Sequence, residues 1–321
     1  MKKRSLSEKF LATFKDGGVF SRITEISRYD PTLDFELRGS SVMIYYRGGK
    51  ILEISENGTL DGLDAKYARN DLYTEDYPPL KLEEIESYFA KAKRLIDRYQ
   101  IDVKNNLGEK EIQQRVVYEN NLSVNAEDND FFIADIEWSD NEQLGGRADI
   151  VAFRWNHMSH TNRRVQMTLI EVKQGESSIK SYKKRSKGDS QEEKDSAGLR
   201  KHYEDYLNFK KNPKYVSEVA DDMLLVLYQK YLLGLVKGLE NLFVDGKMPD
   251  IKPDVDFIFL LANYKPYSKL LQQEIATISK CKFFVSSFTG YCLYQGFILD
   301  KKTLIKNFSQ VYGFKKMLEQ T

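Results

Sequence analysis

The sequence predicts an α/β protein in which strands and helices alternate, preceded by a β-rich region and accompanied by extra helices. Three observations predict it. Two runs dense in β-branched and aromatic residues, Ile150-Val151-Ala152-Phe153 and Leu169-Ile170 continuing to Val172, read as neighbouring strands. Apolar residues at three- and four-residue spacing over 82–99 read as a helix. A nearly continuous apolar run over 257–262 reads as a strand covered on both faces. The chain has 321 residues, 41% of them hydrophobic and 12% aromatic, which is ample for a packed core and argues against disorder. That length suits one large or two smaller domains, and the expected division is 1–78 and 79–321.

Residues 1–78 are expected to be β-rich. Val42, Ile44 and Tyr46 alternate ahead of Arg47-Gly48-Gly49, and 51–54 resume an extended run, which is a hairpin signal. Residues 19–27 and 33–37 are expected as further strands, and Pro78-Pro79 closes the region. Its role is open between a substrate- or partner-binding module and a structural appendage.

A helix follows over 80–100, with Leu82, Ile85, Phe89, Ala92, Ile96 and Tyr99 on one side, and it is assigned to structure. A second helix is expected over 109–120. At about 100° per residue, Ile112, Gln113 and Val116 lie within roughly 60° of Glu109, whereas Glu111 lies about 200° away. Glu109 is therefore expected on the buried face and Glu111 in water. Residues 131–138 fit the first strand of the core, with Asp135 and Glu137 on one face, either within reach of a metal site or, as the plainer reading, a solvent-facing polar pair.

Residues 146–173 form the stretch around which the rest is organised: two strands joined by a polar hairpin loop. Asp149 lies on the first strand, and Glu171-Val172-Lys173 closes the second. Residues two apart on a strand share a face, so Glu171 and Lys173 project together roughly 7 Å apart. Ionisable residues at the end of an otherwise apolar strand break their own element's pattern, and such breaks tend to mark function. Two carboxylates on neighbouring strands, with the Val172 backbone carbonyl, offer hard oxygen ligands for Mg²⁺ or Mn²⁺. The chemistry this suits is metal-assisted phosphodiester hydrolysis, with Lys173 orienting a nucleophile or balancing charge. A solvated strand end with an ion pair is the plain alternative. His157 and His160, in the loop between the strands, read as a hydrated tip rather than a metal site.

Residues 174–201 hold eight basic against five acidic side chains, densest at Lys183, Lys184, Arg185 and Lys187, a place for phosphate contact or a mixed surface loop. A helix over 199–209 places His202 and Tyr206 on one side. Beyond it come a helical stretch over 216–243, a strand over 256–263, a helix over 267–280, and strands over 282–286 and 292–298.

GRADIVAF followed by TLIEVKQG resembles the acidic core of the PD-(D/E)xK nuclease superfamily, with Ala148 where the name has proline. The resemblance runs over roughly 107–206. It implies a restriction-endonuclease-like fold, an α-β-β-β-α-β core with a mixed sheet. It further implies a Mg²⁺- or Mn²⁺-dependent nuclease in which Asp149 and Glu171 bind metal and Lys173 acts on the attacking water. E-x-x-I-Q-x-x-V at 109–116 is similar to the first-helix motif of several branches, which makes Glu109 the additional metal-site carboxylate. Many members carry Gln-x-x-x-Tyr on the helix after the third strand; Tyr206 matches, and His202 stands in the glutamine's place. Nucleic acid, DNA ahead of RNA, is the implied partner. Defence, mobile-element maintenance and repair are roles the superfamily allows equally. Two alternatives stay open: a nucleic-acid-binding or regulatory protein that keeps the fold without catalysis, and an interaction module in which Glu171 and Lys173 only pair with each other.

Net charge is +1, so contact with nucleic acid depends on local patches rather than overall attraction. Two cysteines, Cys281 and Cys292, give no disulfide framework and fit a reducing cytoplasm. No apolar run is long enough to span a bilayer, and the basic N-terminus lacks the apolar core of a signal peptide. The expectation is a soluble cytoplasmic chain.

Overall fold

A computed structural model describes residues 2–67, 80–104, 108–124, 126–140, 146–155, 163–175, 178–179, 183–184, 194–195, 198–262, 268–278, 280–286, 290–291, 293–295 and 298–312. The protein is mixed α/β. Its N-terminal part contains α1 (Glu8–Ala12), α2 (Ser21–Tyr29) and an antiparallel sheet of β1 (Leu33–Leu37), β2 (Ser41–Tyr46), β3 (Gly49–Ser55) and β4 (Leu60–Asp61) in that order. The strand expected over 19–27 is a helix instead. In α2 the apolar Ile23 and the small Thr24 and Ser27 fall on one buried stripe at helical spacing. Helix α3 (Ile85–Tyr99) joins this core, with Tyr88, Phe89, Ala92 and Ile96 buried against residues such as Phe35, Ile44 and Leu52.

The larger sheet is fed by α4 (Glu109–Asn121), β5 (Phe131–Asp140), β6 (Gly146–Arg154) and β7 (Arg164–Gln174). After the short pair β8 (Lys183–Lys184) and β9 (Lys194–Asp195) come α5 (Leu199–Lys210), α6 (Pro213–Leu232), β10 (Asp250–Ile251) and β11 (Asp256–Ala262). Helix α7 (Lys269–Ala276), β12 (Lys282–Val285), β13 (Leu299–Asp300) and α8 (Lys301–Tyr312) complete the described chain. Strand order is β13-β12-β11-β7-β6-β5, with β10 alongside β7. β5, β6 and β7 form an antiparallel meander, whereas β11 runs parallel to both β7 and β12. α6 stops at Leu232 and so is shorter than the stretch expected to 243. The last strand is β13 rather than 292–298; Cys292, Gly296 and Phe297 lie outside the described residues, as do His157 and His160.

Alternation along the strands builds two cores. Ile150, Ala152, Ile170, Val172, Ile258 and Leu260 face Ile112, Val116 and Val117 of α4. Val151, Phe153, Leu169, Phe257, Phe259 and Leu261 face the opposite layer, where α5, α6 and α7 contribute Leu199, Val219 and Leu271. The central strands are thus covered on both faces, which is why their sequences are nearly all apolar. Among the described residues, no helix is long and apolar enough to cross a membrane.

Candidate active site

The alternation fails at one rung. Ala148 and Ile150 are two apart yet fall in opposite cores, and so do their partners Trp138 and Ile136. Between the partners stands Glu137, with φ of 53°, a conformation uncommon outside glycine. β6 therefore kinks at Asp149. It stays paired with β5 down to Gly146, while its ladder with β7 ends at Ile150 and Ile170. The two strands part beyond that point, and the site lies in the opening.

Asp149, Glu171 and Lys173 are all buried there, at 3, 2 and 4% exposure. Asp149 Oδ2 accepts a hydrogen bond from the Val172 amide at 2.8 Å, replacing the ladder partner that the kink removed. An extended residue directs its amide and carbonyl to the same edge, so the Val172 carbonyl faces the opening as well. Lys173 Nζ donates to Glu171 Oε1 at 2.7 Å. His202, on the first turn of α5, brings Nε2 to the same oxygen at 3.0 Å. Glu109, the first residue of α4, comes from the other side of the sheet, close enough for its charge to act on Asp149. Side chains from both faces of the sheet thus meet where β6 and β7 separate.

Their electrostatics follow from crowding. Burial, then the negative charges of Glu171 and Glu109, push the Asp149 carboxyl well above its usual range, against the pull of Lys173 and the Val172 amide. Burial and Glu171 likewise raise Glu109, although Lys173 opposes them. Burial acts on Glu171 too, but the hydrogen bond from His202 and the charge of Lys173 together hold it below its ordinary value. Asp149 and Glu109 are thus both pushed toward the neutral form, and Glu171 toward the ionised one.

No protein-family model, curated protein or solved structure matches this chain.

Asp149, Glu171, Lys173, Glu109 and His202 are brought together. Tyr206 is not: its hydroxyl donates to the Val255 carbonyl at 2.8 Å and its ring stacks on Phe257 at 4.7 Å, one helical turn beyond His202. Burial raises its phenol to about 12. Lys183 and Lys184 form a two-residue strand against Lys194–Asp195, and Arg185 and Lys187 lie outside the described residues. Two expectations are corrected. Glu111 does not face water; it is 7% exposed and paired with Arg47 at 3.2 Å and Arg115 at 2.9 Å, because the N-terminal sheet covers that side of α4. Asp135 is fully buried rather than solvent-facing, and Arg38 binds it from the N-terminal sheet. His202 is buried as a core histidine would be, but its partner is a site carboxylate. Gln113, one turn after Glu109, is buried at 1% exposure, and its Oε1 has no hydrogen-bond partner among the described residues. The signal for it was a polar residue on the apolar stripe of its helix.

Among the described residues, no three His, Cys, Asp or Glu side chains stand at metal-ligand spacing in this conformation. The donor chemistry nevertheless fits a hard divalent cation. The acidic groups that converge offer oxygens, the His202 nitrogen is engaged with Glu171, and three carboxyls facing one lysine leave a negative surplus that drives Asp149 toward protonation.

Proposed function

We propose that this chain is a divalent-metal-dependent nuclease with a restriction-endonuclease-like core, hydrolysing phosphodiester bonds of nucleic acid, DNA ahead of RNA. The order α4, β5, β6, β7, α5 and β11, with β11 parallel to β7, supports the fold reading. The observation that carries the function is the meeting of Asp149, Glu171 and Glu109 beside Lys173 in a buried opening between two strands. Asp149, Glu171, Glu109 and the Val172 carbonyl would hold Mg²⁺ or Mn²⁺. When bound, such an ion polarises a phosphate and acidifies water. Lys173 supplies a desolvated positive charge where negative charge develops, and His202 keeps Glu171 oriented.

The test is cleavage of single-stranded, duplex and branched substrates with Mg²⁺ and with Mn²⁺. Wild type is expected to cut at least one. Asp149→Ala and Lys173→Ala, made separately, are expected to lose about 100-fold or more in rate while still binding the substrate. Failure of wild type on every substrate with either metal overturns the proposal. It then favours the second reading, a nucleic-acid-binding protein that keeps the fold without catalysis. The observation on that side is the occupation of Glu171 by both Lys173 and His202.

A further inference from the structure

Helix α4 begins without a cap of its own. Gly108 at the N-cap has no side chain to accept from the helix's first amides. A helix end left this way frays, and here the first residue is Glu109. The N-terminal sheet holds this end of the helix instead, through the helix's side chains. At the tip of the β2–β3 hairpin, Tyr46 pairs with Gly49, leaving Arg47 and Gly48 as a two-residue turn with φ of 46° and 77°. Such a turn favours asparagine, aspartate or glycine in its first place, so an arginine there is held against its backbone preference.

That arginine reaches the helix. Its Nε donates to Glu111 Oε2 at 3.2 Å, while its Nη1 is anchored on Asp97 of α3 at 2.8 Å. The Gly48 amide donates to Gln114 Oε1 at 2.9 Å. Gly48 also lies so close to Lys110 that a Cβ would come within 2.6 Å of the lysine's own. Lys110 in turn pairs with Glu137 at 2.6 Å, at the rung where β5 and β6 kink. Positions 110, 111 and 114, all within two turns of Glu109, are therefore gripped from outside the helix.

We infer that Arg47 and Gly48 are positioning residues that fix Glu109 at the carboxyl cluster, so that the N-terminal sheet controls how tightly the site holds a divalent cation. The inference rests on the nuclease reading and adds to it a positioning role for the N-terminal part of the chain.

The test uses the full chain, with Mn²⁺ binding followed by calorimetry and cleavage followed in parallel over a Mn²⁺ series. Arg47→Ala is expected to weaken Mn²⁺ binding about tenfold. Cleavage at saturating Mn²⁺ stays within about twofold of wild type, since the chemical groups remain. Glu111→Gln, which touches Arg47 but not the cluster, is expected to act in the same direction. The double variant is expected to be no worse than Arg47→Ala alone, as for two ends of one contact. Arg47→Lys, with one donor in place of the guanidinium fork, restores part of the affinity. A purely structural contact would lower the melting temperature of the metal-free protein and leave the affinity of the folded protein unchanged. Folded Arg47→Ala or Glu111→Gln protein that binds Mn²⁺ like wild type overturns the inference alone. Wild type that binds no Mn²⁺ and cuts nothing overturns the nuclease reading and this inference with it.

Discussion

Asp149 is held where it is least comfortable. Its carboxyl is buried, with the negative charges of Glu171 and Glu109 close by. Two unit charges about 4 Å apart repel by up to roughly 4 kcal/mol at an effective dielectric of 20. Asparagine keeps the acceptor for the Val172 amide and removes the charge. Asp149→Asn is therefore expected to raise stability in EDTA by about 1–2 kcal/mol while abolishing cleavage, the usual exchange between stability and activity at a site. The sign with pH is fixed by the raised folded pKa. The penalty is absent below the unfolded value of about 3.9 and grows as pH climbs through the folded one. The gain over wild type should widen between pH 4 and pH 8 in urea denaturation, and a gain that shrinks with pH would refute the account. At this scale much was legible. Asp149, Glu171 and Lys173 stood out because charged residues interrupt apolar strands; Glu109, expected on the buried face of its helix, is half-buried, less so than Glu111. Glu111 and Asp135 were misread, since their burial comes from residues about 60 to 100 positions away in sequence, Arg47 and Arg38, which local periodicity cannot register.

The elements carrying the site are stapled by side chains as well as by ladders. β5 has a register break between Ile133 and Asp135, where a backbone pairing is lost. Asn121, the last residue of α4, braces the strand beside it: its Nδ2 donates to the Ile133 carbonyl at 2.9 Å, and its Oδ1 accepts from the Ile133 amide at 2.9 Å. Asn120 beside it accepts from the Leu293 amide and donates to the Tyr291 carbonyl. Both asparagines are buried, Asn120 at 0% and Asn121 at 1% exposure. Replacing Asn121 by leucine strands two buried backbone groups at about 1–3 kcal/mol each. A loss of about 2–4 kcal/mol in guanidinium unfolding is expected, and a loss below about 1 kcal/mol would show the bulge to be indifferent to its staple. The sequence announced α4 and β5 through their apolar spacing. Nothing in it announced that a helix end would brace a strand. The 19–27 misreading has a similar origin: Val19 and Ile23 suit a strand by composition, but only the neighbouring β-sheet selects the helical stripe of α2.

At the scale of the whole molecule, the N-terminal sheet and the main sheet meet through buried charge. Asp34 and Glu36 of β1, Asp135 of β5, Arg38 just after β1, and Lys230 of α6 lie together, with Arg4 and Tyr45 at the margin. Lys230 Nζ donates to Glu36 Oε1 at 2.6 Å, and Arg38 binds both Glu36 and Asp135. The N-terminal strap adds neutral ties, with the Leu6 amide and carbonyl both bonded to the Gln229 side chain at 2.8 Å. Removing one partner of a buried pair leaves the other uncompensated, so Lys230→Ala is expected to cost about 3–5 kcal/mol. Asp34 behaves oppositely. One of its oxygens, Oδ2, is buried without a hydrogen-bond partner among the described residues. Burial, with Asp135 adding to it, raises its carboxyl against the pull of Lys230 and Arg38. The folded pKa thus lies above the unfolded value of about 3.9, so wild type loses stability at this group as pH rises through the interval between them. For Asp135 the direction reverses. Burial raises it, but Arg38 and Arg4 outweigh burial and lower it, so its stabilisation is present above pH of about 3.9 and lost as pH falls through its folded value. Asp34→Asn should therefore melt above wild type at pH 8, and the difference should shrink as pH falls toward the unfolded value of about 3.9. Equal melting temperatures at pH 8 would mean that Lys230 and Arg38 already compensate the Asp34 charge in full.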